Sequence, residues 1–134
     1  MTGDEASALI LAAADKVKAA GPGAPRLARD PVNVPTIRNW TDAIGDANPV
    51  YTDAEVAARS IHRGLVAPPA MVQVWTMPGL QVPAGTGPDP LGQMMTVLDE
   101  AGYTAVVATN CEQSYHRYLR HGELLALRRR QIGE

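Results

Sequence analysis

Strand-forming sequence is confined to the end of this chain. Residues 103–119, "YTAVVATNCEQSYHRYL", carry Val, Thr and Tyr and read as one long strand or a strand with a bend. "HG" at 121–122 reads as a turn, and "ELLALRRRQI" after it reads either as a return strand or, on propensity, as a basic helix. Before Gly102 the chain shows helices punctuated by Gly and Pro. Two strands alone make a poor platform with exposed edges. The expectation is therefore an α+β domain whose sheet is incomplete within residues 1–134. The chain would be the front portion of a longer domain, a chain with an unusual ending, or one whose sheet a partner completes.

The helices can be placed. Residues 4–19 favour helix, with Leu9, Leu11, Ala12 and Val17 as an imperfect apolar stripe. "GPGAP" at 21–25 ends it. Pro35 suits the first turn of a second helix that puts Ile37, Trp40 and Ile44 on one face. "GDANP" breaks that helix, and Pro49 pushes Asn48 towards an extended conformation. Thr52 with Glu55 three residues later reads as a capping box for the next helix. "IHRGLVAPP" reads as a loop, and "AMVQVWTM" as a buried helix opened by Pro68 and Pro69, with a strand as the alternative. "MPGLQVPAGTGPDPLG" is a loop by composition, and a last helix over 91–102 would bury Leu91, Met94, Met95 and Leu98.

Size and charge remove several function classes. A chain of 134 residues fits one domain. With 46% hydrophobic and 19% charged residues it is globular, and it should bury roughly two thirds of its unfolded surface. A net charge of -2 gives no strong field to attract nucleic acid or anionic lipid. The N-terminus is acidic and its apolar run is broken by Asp15, unlike a targeting segment. No stretch approaches the roughly 20 apolar residues of a membrane span. The single cysteine, Cys111, rules out an internal disulfide and suits a reducing compartment. The expected protein is cytoplasmic, with neither a membrane nor a nucleic-acid partner.

The chemistry-bearing stretch is "IGDANPVYTD", residues 44–53. Short polar side chains such as Asp46 and Asn48 at a helix end can bond to nearby backbone. Alternatively, Asp46 faces a pocket and takes a proton from water, which calls for a second, acidic group within reach. His is the usual choice near neutral pH. The sequence puts no His beside this knot: position 51 is Tyr, and His62 lies eleven residues beyond it.

That stretch resembles the hydratase signature of the MaoC-like hot-dog family, Gly-Asp-x-Asn-Pro-apolar-His-x-Asp. Gly45, Asp46, Asn48, Pro49, Val50 and Asp53 match, and Tyr51 stands where the family has its catalytic His. "GPGAPRLARD", "VAPPAMVQVWTM" and "DEAGYTAVVATNCEQSYHRYLR" extend the resemblance over about residues 20–122. Within the family they are similar to the N-terminal MaoC-like domain of the large subunits of actinobacterial steroid side-chain enoyl-CoA hydratases. The resemblance implies a hot-dog fold, a central helix wrapped by an antiparallel sheet. It implies water addition to a 2-enoyl-CoA, with an Asp and a His activating the water and a helix N-terminal N–H polarising the thioester carbonyl. That helix starts near Pro68. Pro68 and Pro69 have no N–H, so Ala70 and Met71 are the nearest donors.

A Tyr, with a reference pKa near 10, is a poor base but can donate a hydrogen bond. The resemblance thus implies a non-catalytic subunit in which Asp46 is structural and Tyr51 packs or lines the pocket. The Asp and His would come from a small MaoC-like partner, in a heterotetramer with the acyl-CoA between the hot dogs. Coenzyme A would be part of the substrate, and no separate cofactor is implied. Two other readings stand beside it: a self-sufficient hydratase using Asp46, and an acyl-CoA-binding scaffold without turnover.

The remaining candidates have a bland and a functional reading each. Arg63, beside His62, offers a fork of donors to a CoA phosphate, or is a solvated loop charge. Met71, Trp75 and Met77 are core or ligand wall, as are Met94 and Met95. Cys111 reads as a small buried side chain. His116 and His121 with one cysteine are too sparse for zinc, so no metal is expected. "RRR" at 128–130 reads as a solvated face.

Overall fold

The computed structural model describes residues 1–80 and 89–132. Residues 81–88, part of the expected Gly/Pro-rich loop, lie outside that description. The chain divides into two compact units, one of Met1–Pro25, Val82–Glu112 and Arg128–Glu134, the other of Arg26–Gln81 and Gln113–Leu127.

The first unit rests on α1 (Gly3–Ala19) packed against α5 (Pro90–Glu100). Thr2 caps α1 in a reciprocal box: its Oγ1 accepts from Glu5 N–H, and the Glu5 carboxylate accepts from Thr2 N–H at 2.7 Å. The buried stripe of α1 is Ala6, Ala14 and Val17 with half-buried Ile10 and Ala13, which keeps a 3.6-residue period. The expected stripe is thereby corrected: Leu9, Leu11 and Ala12 lie on the exposed side. On α5, Met94 and Leu98 are half-buried, while Leu91 and Met95 are exposed.

The second unit contains β1 (Arg26–Leu27), α2 (Val34–Ile44), a 3-10 turn (Pro49–Tyr51), α3 (Ala54–Arg59) and β2 (Val66–Ala67). A 3-10 turn (Pro69–Met71), α4 (Val72–Trp75), β3 (Leu119–Arg120) and β4 (Ala126–Leu127) complete it. Pro35 does occupy the first turn of α2, and Asn33 caps it through Thr36 N–H at 2.9 Å. Ile37 is buried and Trp40 half-buried as expected, but Ile44 is exposed and Thr41 takes the inward position. The core is Val32, Ile37, Tyr51, Val66, Ala67, Met71 and Trp75.

Sheet formation is minimal and non-local. β1 pairs antiparallel with β4, Arg26 opposite Leu127, and β2 pairs antiparallel with β3, Val66 opposite Arg120. This is a partial hot-dog arrangement in an α+β fold. The expected strand over 103–119 forms only at its last residue, and 103–115 is irregular and exposed. A strand is stabilised by a ladder, and among the described residues nothing pairs with 103–118. Cys111, expected to be buried, is exposed on that segment. Of the return segment only Ala126–Leu127 is strand, none of its described residues is helical, and its partner is β1. "IHRGLVAPP", expected as loop throughout, contributes β2.

Candidate functional site

The knot at 45–53 is built from backbone requirements. Gly45 ends α2 at φ 74°, the left-handed region open to glycine at no steric cost. Its N–H and that of Asp46 both reach Thr41 O, the latter at 2.9 Å. Asp46 Oδ1 then accepts from Asn48 N–H at 3.0 Å, and Asn48 Oδ1 from Val50 N–H at 3.2 Å. Asn48 is extended ahead of Pro49, as the proline dictates. Asp53, not Thr52, caps α3: its Oδ1 accepts from Glu55 N–H at 2.9 Å and Val56 N–H at 3.0 Å. A carboxylate has the lone pairs to accept both bonds, and Thr52 instead closes the preceding turn through Pro49 O.

Tyr51 ends this turn and is buried in the core. Burial, with the Tyr118 phenol and the Asp46 carboxylate as further contributors, raises its phenol above the ordinary tyrosine value. Tyr118 is the residue that sequence reasoning missed. Its ring lies 4.4 Å from that of His62, tilted by 52°. Asp46, Tyr51, Tyr118 and His62 therefore form one neighbourhood, although His62 is remote from Tyr51 in sequence. No local signal marks Tyr118; β2–β3 pairing brings it there.

Arg63 is exposed and takes φ 54°, an uncommon conformation for a residue with a Cβ. At the helix start, Met71 N–H donates to Pro68 O at 3.2 Å, which leaves the amide of exposed Ala70 as the donor of that turn. Met71 itself is fully buried. Trp75 is 5% exposed, and its indole N–H is buried without a partner among the described residues. Trp75 also lines a shallow cleft of about 230 Å³ with Arg29, Asp30, Asn33, Thr36 and Val74. Tyr51 and Asp46 are not part of that lining. Among the described residues no cluster of His, Cys, Asp or Glu could hold a metal ion, and no helix is long and apolar enough to cross a membrane.

The family model of the FAS1-like, dehydratase domain region matches residues 25–132. The chain belongs to this family of MaoC-like hot-dog dehydratases and hydratases. It is 58% identical over 120 residues to the 3-oxo-4,17-pregnadiene-20-carboxyl-CoA hydratase alpha subunit of Mycobacterium tuberculosis, a match covering 88% of this chain and 38% of that protein. It is 44% identical over 107 residues to a probable enoyl-CoA hydratase alpha subunit of Thermomonospora curvata, covering 78% of this chain and 34% of that protein. The chain thus spans little more than a third of these curated relatives. Its fold superimposes with a TM-score of 0.79 on a chain of the ChsH1-ChsH2 complex from Mycobacterium tuberculosis, at 56% identity, covering 89% of this chain and 70% of that one. In this MaoC-like domain, Asp46 and Asn48 serve the backbone of their own turn, and the position of the family's imidazole is a buried phenol.

Proposed function

We propose that this MaoC-like chain is the non-catalytic, pocket-forming part of a heteromeric 2-enoyl-CoA hydratase, a lyase acting on a steroid side-chain enoyl-CoA in the cytoplasm. The observation that carries the reading is Tyr51: a core phenol whose pKa is raised stays protonated at neutral pH and cannot serve as the base. The names of the two relatives, both hydratase alpha subunits, support the reaction class. The catalytic Asp and His then come from a small MaoC-like partner, assembled with this chain as a heterotetramer, and residues 1–134 belong to one MaoC-like domain.

Tyr51, His62, Arg63, Ala70, Met71 and Trp75 are the residues assigned to the acyl-CoA. Ala70 offers its amide N–H to the bound acyl-CoA, Met71 and Trp75 back the acyl pocket from the core, and Arg63 with His62 meets the nucleotide end. The test is hydration of a steroid enoyl-CoA by the purified chain, by a small MaoC-like partner, and by the two together. Turnover is expected from the assembled pair and not from this chain. Robust turnover by this chain alone overturns the assignment.

A further inference from the structure

The loop after α3 and the turn after β3 carry an unusual charge. Residues 59–65 and 117–123 hold four arginines and two histidines against one carboxylate, in a chain whose net charge is -2. The two segments are joined by the β2–β3 ladder and by His121 N–H donating to Leu65 O at 3.2 Å. The one carboxylate, Glu123, is already engaged: it accepts from Arg117 Nη1 at 2.9 Å and from Arg120 N–H at 2.7 Å. Among the described residues no other ion pair is present, so the Arg59, Arg63 and Arg120 guanidinium groups are in no salt bridge, although Glu123 is near enough to Arg120 to feel its charge.

The geometry of the loop is over-determined. Ser60 Oγ donates to Ala57 O at 2.7 Å and accepts from His62 N–H at 3.1 Å. Arg63 N–H reaches Ser60 O at 3.1 Å, and Gly64 N–H reaches Ala57 O at 3.0 Å. These bonds hold Arg63 at its positive φ, where backbone strain often accompanies a functional constraint. Arg120 Nη1 donates to His62 O at 2.8 Å, so its guanidinium lies over the same turn. One of its five donors is used, and the others remain for a ligand.

We propose that Arg63 and Arg120, flanked by His62 and His121, form a site for a phosphate monoester. Resting on the function proposed above, its ligand is the 3′-phosphate of the acyl-CoA rather than the diphosphate. A phosphate monoester carries about -1.5 to -2 charges at neutral pH, which suits two guanidinium forks better than the single charge of a carboxylate.

The experiment compares binding of CoA and dephospho-CoA, which lacks the 3′-phosphate, to the whole chain by isothermal titration. CoA is expected to bind at least about ten-fold tighter. R63Q and R120Q should each lose most of that preference by weakening CoA binding far more than dephospho-CoA binding. R63G, whose glycine accepts the positive φ, should match R63Q and so separate charge from strain. R120K, which keeps the charge and loses the fork, should fall between R120Q and the parent, and thermal melts verify folding. Equal binding of the two ligands overturns the proposal, as does preference retained in the arginine variants. A parallel loss for both ligands places the arginines on the diphosphate and overturns it too. The readout needs no turnover, so a failed hydratase assay with the preference intact sinks the proposed reaction and leaves this site standing.

Discussion

Met71→Ala is the substitution that best separates a core residue from a ligand wall. Met71 is 0% exposed and sits in the cluster with Val32, Ile37, Tyr51, Val66, Ala67 and Trp75. Truncating a fully buried Met removes its transfer energy and leaves a partly relaxed cavity, a loss of about 2–5 kcal/mol. An unfolding entropy of about 2.1 cal/mol/K per residue, over 134 residues, gives about 0.28 kcal/mol per degree. The expected fall in Tm is therefore roughly 7–18 °C. Met71→Leu, which nearly conserves volume, should cost less than about 1.5 kcal/mol. Urea titration followed by circular dichroism gives both values. If Met71→Ala unfolds within about 1 kcal/mol of the parent, the side chain is not held as the structure places it, and the packing argument fails.

Asp53→Ala should cost about 1 kcal/mol in urea unfolding by leaving Glu55 and Val56 N–H uncapped, whereas Thr52→Ala should cost only a few tenths. Gly45→Ala should cost about 1 kcal/mol from φ alone, because its added Cβ would meet nothing within 4 Å. Tyr51 predicts an alkaline effect: its folded pKa is raised, so above about pH 10 the unfolded chain loses the proton first and stability falls as pH rises to the folded value. Below about pH 10 that contribution is constant, and Tyr51→Phe should flatten the alkaline limb in denaturation curves measured across that range.

What could be read from the sequence was local. Helix ends follow from Pro35, Gly45 and Pro49, and the backbone-bonding role of Asp46 and Asn48 follows from their short polar side chains. The strand partners could not be read, because Arg26 meets Leu127 and Val66 meets Arg120 far apart in sequence, with two residues per strand and no periodicity to betray them. The same propensities that mark 103–118 as strand are overridden where no ladder forms. Tyr118 and Arg120 entered the candidate site only through that non-local pairing. The αL conformation of Arg63 had no signal either, since Gly64 beside it is the residue a reader would choose for it.

The matched signature divides into positions with different evidential value. Gly45 supplies a left-handed helix end, Asp46 and Asn48 accept backbone N–H groups, Pro49 fixes the extended residue before it, and Asp53 caps α3. Each of these is required by the turn whether or not any reaction occurs near it, so their presence is no argument for catalysis. Position 51 has no such duty in the turn, and the proposed function rests on what stands there. It follows that Asp46→Ala should act on folding: loss of the bond to Asn48 N–H should lower stability by about 1 kcal/mol. Asp46→Asn keeps an acceptor oxygen and should be nearly neutral. In the complex reconstituted to test the proposed hydratase activity, both variants should retain turnover once folded. A large loss of kcat in Asp46→Asn with intact assembly and unchanged Tm would instead give this carboxylate a part in the reaction, and the division of labour between the two chains would have to be redrawn.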